Sequence, residues 1–115
     1  RDRLIADAKA TLLELAQDYT PPEPHTYHLP GPTAKAALDM AVADLARSGQ
    51  ATPHDVVVTA ELAHILSGGD TDILDELSED DILAMELAAI GKLSRDEATL
   101  ARMEHMVLKG KPLRN

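Results

Sequence analysis

The residues able to do chemistry are few, and their spacing serves it poorly. The chain has four serines, Ser48, Ser67, Ser78 and Ser94. None stands in a Gly-x-Ser-x-Gly elbow, where a strained turn would present a nucleophile. Ser78 and Ser94 precede apolar helical runs, where a hydroxyl caps free amides. Ser48 and Ser67 sit beside glycine at helix ends. His25 and His28, in HTYH, are three residues apart, a spacing that suits two ligands on one helix face. The run around them is broken by proline, and a third ligand would have to come from afar. His54 and His64 are ten residues apart, about 1000° of helical rotation, so they fall roughly 80° and nearly three turns apart. They cannot share a metal, and His54 is expected at the surface. The acidic stretch Asp70, Asp72, Asp75, Glu76, Glu79, Asp80 and Asp81 fails the calcium-loop pattern, because Leu74 and Asp75 stand where Asx and Gly are required. No metal site is expected.

Gly68-Gly69 follows a helical pattern rather than a strand, without the Lys-Ser/Thr of a phosphate loop and without Gly-x-Gly-x-x-Gly. The chain therefore carries no dinucleotide cradle, and no catalytic residue emerges. Lys109, Lys111 and Arg114 form the one positive cluster. Terminal residues are usually loose, so a solvated tail is the default reading. The alternative is a set of cations that meets phosphate or carboxylate.

The elements that position these residues are helical. Leu4, Ala8, Leu12, Leu15 and Tyr19 mark one face of an amphipathic helix over 3–19. Thr20 to Pro32 holds five of the seven prolines and reads as an extended linker. A second helix is predicted from about Thr33 to Ser48, burying Ala37, Leu38, Ala41, Val42 and Leu45 and ending at Gly49. The third begins at Thr52 as N-cap, with Pro53 at the first helical position and Asp55 facing the positive helix end. Its face is Val58, Leu62, Ile65 and Leu66, closed by Gly68-Gly69. Ser78 with Asp81 starts a fourth helix, bearing Ile82, Leu83, Met85, Leu87, Ala89 and Ile90 and stopped by Gly91. Ser94 with Glu97 starts the fifth, bearing Ala98, Ala101, Met103, Met106 and Val107, with Gly110 past its end. The reading is all-α, a small bundle of about five helices with the first set apart by the Pro-rich linker and no strand.

Composition narrows the partners. The net charge is −9, a surface that repels nucleic-acid backbones and anionic lipid. No apolar run approaches the ~20 residues that span a bilayer. Aromatic residues make up 2% and cysteines are absent, so the core rests on aliphatic side chains without disulfides. A reducing cytoplasm is compatible. The chain opens on Arg1-Asp2-Arg3 without an initiator Met, as a piece of a longer protein would.

Four strings carry a resemblance: LPGP at Leu29 to Pro32, ATPHDVVV at Ala51 to Val58, HILSGGDTD at His64 to Asp72, and ARMEHMVLKGKPLRN at Ala101 to Asn115. Together they resemble the C-terminal segment of bacterial 3-hydroxyacyl-CoA dehydrogenases fused to an enoyl-CoA hydratase (crotonase-type) region. The likeness spans nearly the whole chain, with the last string the most specific. Where that family commonly has a Glu-Arg-Glu-Ala-Phe-like run, this chain has Glu86-Leu87-Ala88-Ala89-Ile90, which marks a divergent branch. The resemblance implies a parent with a Rossmann domain binding NAD, a helical dehydrogenase domain and a crotonase-type domain acting on acyl-CoA in fatty-acid β-oxidation. Residues 1–19 would then belong with the upstream crotonase-type domain, 20–32 form the linker, and 33–115 form a C-terminal helical domain. It further implies a structural or assembly role, packing over the acyl-CoA site or between subunits. Lys109, Lys111 and Arg114 become candidates for the coenzyme A phosphates, and self-association is expected of the isolated piece. No catalytic residue of the family matches a position here. The alternative is an independent acidic helical interaction module.

Overall fold

The computed structural model describes residues 3–115 and contains five helices and one two-residue strand pair. The helices are α1 (Leu4–Leu15), α2 (Pro32–Arg47), α3 (Pro53–Ser67), α4 (Glu79–Leu93) and α5 (Glu97–Lys109). The strands β1 (Thr26–Tyr27) and β2 (Leu77–Ser78) pair antiparallel, Thr26 opposite Ser78 and Tyr27 opposite Leu77. The all-α reading holds, with this clip as its correction. The linker is tied at one point to the acidic loop, and His28 Nε2 lies 3.8 Å from Glu76 Oε1 beside it.

Helix boundaries follow the capping chemistry, with two corrections. At α3 the Thr52 hydroxyl accepts from the Asp55 amide (3.2 Å) while Asp55 accepts from the Thr52 amide (2.8 Å), a reciprocal box. Ser78 and Asp81 make the same box at α4. The first correction concerns Gly91, which was expected to stop α4 and lies inside it, since the helix runs on to Leu93. A glycine without positive φ only weakens a helix by about 1 kcal/mol and does not end it. The second concerns Ser94, which is the C-cap of α4. The N-cap of α5 is Asp96, whose Oδ1 accepts from the Ala98 (2.9 Å) and Thr99 (3.0 Å) amides. A carboxylate so placed also meets the positive helix end.

α2 lies along α3, and α4 packs on α3 from another side. Along α2 the apolar residues that are half-buried are Ala34, Val42 and Ala46, while Ala37 and Ala41 are exposed. Of the residues expected to be buried only Val42 is half-buried; Leu38 borders Thr59, Leu62, Ala63 and Leu66 of α3 with it but stays exposed, as does Leu45. The LPGP turn is locked to the end of α3. The Gly31 amide donates to the Ser67 carbonyl at 2.7 Å, and Gly31 sits at φ 65 with the Thr71 carbonyl where a Cβ would be. Only glycine fits there.

The core is thin. Ala63 and Ala89 are the buried hydrophobic residues, and many large ones stay exposed, among them Leu62, Leu66, Leu87, Ile90 and Val107. No residue of α1 is buried, and its helix stops at Leu15, short of the expected Tyr19. The radius of gyration is 20.2 Å, where a compact chain of this length would have about 13 Å. The accessible surface is 9092 Å², against roughly 6,100 Å² for a compact monomer of this mass.

Candidate functional site

The polar side chains that the fold brings together lie where α5 meets the start of α3. Arg102, on α5, reaches the α3 capping box. One guanidinium nitrogen is 2.8 Å from Asp55 Oδ1 and donates to Thr52 Oγ1 at 3.0 Å. Its Nε donates to Asn115 Oδ1 at 2.6 Å, and the Asn115 amide donates back to the Ala98 carbonyl at 3.1 Å. Arg114 donates to the Gln50 carbonyl at 2.9 Å. The Thr52 amide, then the Thr52 hydroxyl, then Arg102 lower the Asp55 pKa to about 2. A carboxylate that accepts several hydrogen bonds is held ionised this way. The planar fork of Arg102 supplies the pairing of two elements that a lysine could not.

Beside this cluster His54 is 5% exposed, correcting the surface position expected of it. Its Nε2 is 2.9 Å from Thr99 Oγ1, and its Nδ1 is 3.6 Å from Asp96 Oδ1. An imidazole at the second helical position was read as solvated because its partner lies 45 residues away. The short-range signal that was available is Asp96 itself, a strong capping type two residues after Ser94. Asp96, His54 and Thr99 stand in acid–base–hydroxyl order, yet they do not make a relay. The Asp96 oxygen is occupied by two amides, the Nδ1 separation is beyond a hydrogen bond, and Thr99 is 9% exposed. The trio fastens α5 to α3.

The basic cluster is placed differently from a loose tail. Lys109 ends α5, Gly110 caps it in the left-handed region at φ 64, and the Lys111 carbonyl lies 2.7 Å from His105 Nδ1. With Arg102 and Asn115 locking the last residue to α5, the tail folds back on the helix. The side chains of Lys109, Lys111 and Arg114 are exposed, and among the described residues neither lysine has an ion-pair partner. His25 and His28 flank the strand clip, both exposed. No group of three or more His, Asp or Glu side chains among the described residues is arranged to hold a metal.

The chain's paired glycines do not form a dinucleotide cradle. Its one Gly-Gly pair is a helix C-cap, and the space beside Gly68 is filled by Leu29, Thr71 and Leu77. A pyrophosphate needs open backbone amides at a helix N-terminus instead. What the molecule does offer is apolar grooves. One is an open face along α5 over Leu100, Met103, Val107 and Leu108. Another, about 350 Å³, lies between α3 and α4 and is lined by Val58, Leu62, Ile65, Glu86 and Ile90. No described helix is long and apolar enough to cross a membrane.

No family model matches the chain, and no solved structure matches it significantly. Over its full length, 116 aligned residues, it is 35% identical to a protein of Bacillus subtilis (strain 168) named "Probable 3-hydroxyacyl-CoA dehydrogenase". The chain spans 15% of that relative's length. It is thus similar, end to end, to one stretch of a 3-hydroxyacyl-CoA dehydrogenase.

Proposed function

We propose that this chain is the C-terminal helical segment of a 3-hydroxyacyl-CoA dehydrogenase of fatty-acid β-oxidation, one fused to an enoyl-CoA hydratase-like region. Its role there is assembly: it packs against the rest of the enzyme while the chemistry happens elsewhere. The observation that carries the reading is the exposure of large hydrophobic side chains such as Leu87 and Val107 on a chain whose total surface is 9092 Å², with Ala63 and Ala89 as the buried hydrophobics among the described residues. Exposed contiguous apolar faces of this kind mark interaction sites. The apolar face of α5 would give the parent a surface rich in Leu and Met, and the end-to-end likeness to a protein named a probable 3-hydroxyacyl-CoA dehydrogenase supports that parent.

NAD binds to the parent's other domains, and the acyl-CoA substrate lies at their sites in the cytoplasm. Lys109, Lys111 and Arg114 present a local positive cluster on a chain of net charge −9, suited to the phosphates of coenzyme A. The test compares the intact parent with a version lacking the segment equivalent to 33–115. Sedimentation and NAD reduction with a 3-hydroxyacyl-CoA are the measurements. The truncated parent is expected to lose its assembly and most of its activity, while the 115-residue chain alone turns over no NADH with acetoacetyl-CoA. A truncated parent that assembles and works normally would sink the proposal and leave an independent acidic helical module as the reading.

A further inference from the structure

α1 is the helix that the rest of the molecule leaves unexplained. It has 12 residues, all exposed, and no side chain caps its N-terminus. Isolated helices of that length are marginal in water, and most helical stability comes from packing an amphipathic face. α1 has such a face: Leu4, Ala8, Leu12 and Leu15 lie along one stripe, with Lys9 at its edge.

The α3–α4 groove is the matching vacancy. It is apolar, and Glu86 in its wall has no ion-pair partner among the described residues, as Lys9 has none. An unpaired cation beside the stripe and an unpaired carboxylate in the groove are complementary. α1 stands off its own bundle, every one of its residues exposed. The strand clip at Thr26–Tyr27 holds the linker beside Ser78, at the start of α4. From there the groove at Ile90 lies about 18 Å away at the helical rise. Between α1 and the clip stand ten residues, with Pro21, Pro22 and Pro24 among them. Residues 16–18 turn at the end of the helix, and proline-rich spacers are semi-rigid at about 3.1 Å per residue, so the seven that follow set α1 roughly 22 Å from the clip. That reach, with every residue of α1 exposed, leaves the helix free to meet a neighbour's groove. A reciprocal exchange closes with twofold symmetry.

We propose that α1 of one copy seats its Leu4, Ala8, Leu12 and Leu15 face in the α3–α4 groove of a second copy, reciprocally. Area permits it. The chain's 9092 Å² exceeds that of a compact monomer by about 3,000 Å², and a stable dimer buries about 800 Å² per partner. The inference stands apart from the dehydrogenase reading, since it needs only this chain's own helices.

The absence of cysteine makes the test direct. Leu12→Cys and Ile90→Cys are made in separate chains, one carrying a mass tag, then mixed and treated with a short bis-maleimide. A covalent heterodimer is expected, with little product when Leu12→Cys is mixed with Leu74→Cys, in the acidic loop. Sedimentation should give a dimer of the 12.4 kDa chain. Lys9→Glu should raise the dimer dissociation constant roughly tenfold, counting two exposed ion pairs per dimer, and Lys9→Glu with Glu86→Lys should restore it. A monomer whose double Leu12→Cys/Ile90→Cys variant closes within one chain would overturn the proposal. So would a dimer in which the Leu12–Ile90 link does not form.

Discussion

Replacing Thr99 with Val tests whether α5 is fastened to α3 by the buried hydroxyl–imidazole contact. Valine keeps the shape of the side chain and removes Oγ1, which lies 2.9 Å from His54 Nε2. His54 is 5% exposed, so water cannot replace the lost partner, and its other nitrogen has only Asp96 Oδ1 at 3.6 Å. Leaving a buried polar group unpaired costs about 1–3 kcal/mol. For a chain of this length the unfolding entropy is about 0.24 kcal/mol/K, so the midpoint should fall by roughly 4–12 °C. The core is so thin that stability belongs at the low end of the usual range of about 5–15 kcal/mol, and the loss should be conspicuous. The chain has no Trp, so unfolding is followed by circular dichroism at the helix band. Hydrogen exchange adds the local readout: amides of α5 should lose protection before those of α2 and α3. The cycle with His54→Leu should show the two changes to be non-additive, because each removes the same contact. A Thr99→Val chain that melts with the unaltered protein, or loses stability while α5 keeps its protection, would refute the fastening role.

Acid should dissolve the helix starts. Asp55, brought to about 2 mainly by the Thr52 amide, and Asp81, lowered mainly by the Ser78 hydroxyl, both sit below the ordinary carboxylate value of 3.8. Their folded values are depressed, so the stability they contribute is present above about pH 4 and is lost as pH falls towards 2. Asp55→Asn should therefore flatten the acid limb of a stability–pH curve and lower its neutral plateau; an unchanged limb would count against the cap. Gly31→Ala should cost at least about 2 kcal/mol, since it combines a positive φ with a Cβ driven into the Thr71 carbonyl. Gly49→Ala, at φ 74 with open space around it, should cost only about 1 kcal/mol; equal losses in thermal melts would show that the close approach at Gly31 is irrelevant.

What could be read in the sequence is what short range determines. The Thr52–Asp55 and Ser78–Asp81 boxes are contacts between residues three apart, and both formed as read. Gly68 and Gly110 end their helices because each takes a left-handed conformation that no side chain favours. Gly91 shows the limit of that rule: the same residue type inside a helix, with no demand for positive φ, stops nothing. The errors elsewhere are long-range. His54 was placed in solvent because Thr99 is far along the chain, and the tail was read as loose because nothing near it announces that Arg102 will bind Asn115. The strand clip pairs residues 26 and 78, two short polar-apolar dipeptides too brief to carry a period. The apolar faces of α3, α4 and α5 were legible as stripes, whereas what covers them was not, because Leu66, Ile90 and Val107 stay largely exposed among the described residues.

The four strings that carry the resemblance meet in pairs once the chain is folded. LPGP presses into HILSGGDTD, with the Gly31 amide on the Ser67 carbonyl and Leu29 against Gly68. ATPHDVVV receives ARMEHMVLKGKPLRN, through Arg102 on Thr52 and Asp55 with Asn115 closing behind it. Each pair is a joint between helices, and neither opens onto a groove with a free nucleophile or an acid–base pair. Such residues are specific because backbone approach and bidentate hydrogen bonding tolerate few substitutes. Glycine at positive φ against a carbonyl, and arginine forked between two elements, are demanding in the way a catalytic group is, yet what they secure is the angle between helices. The polar joints set the directions of α2 to α5 while the apolar faces point outward. A segment held by its joints rather than its core presents those faces in a fixed arrangement before anything covers them. That is the property an assembly element needs, since a pre-set surface forfeits less entropy on docking than one that must first fold.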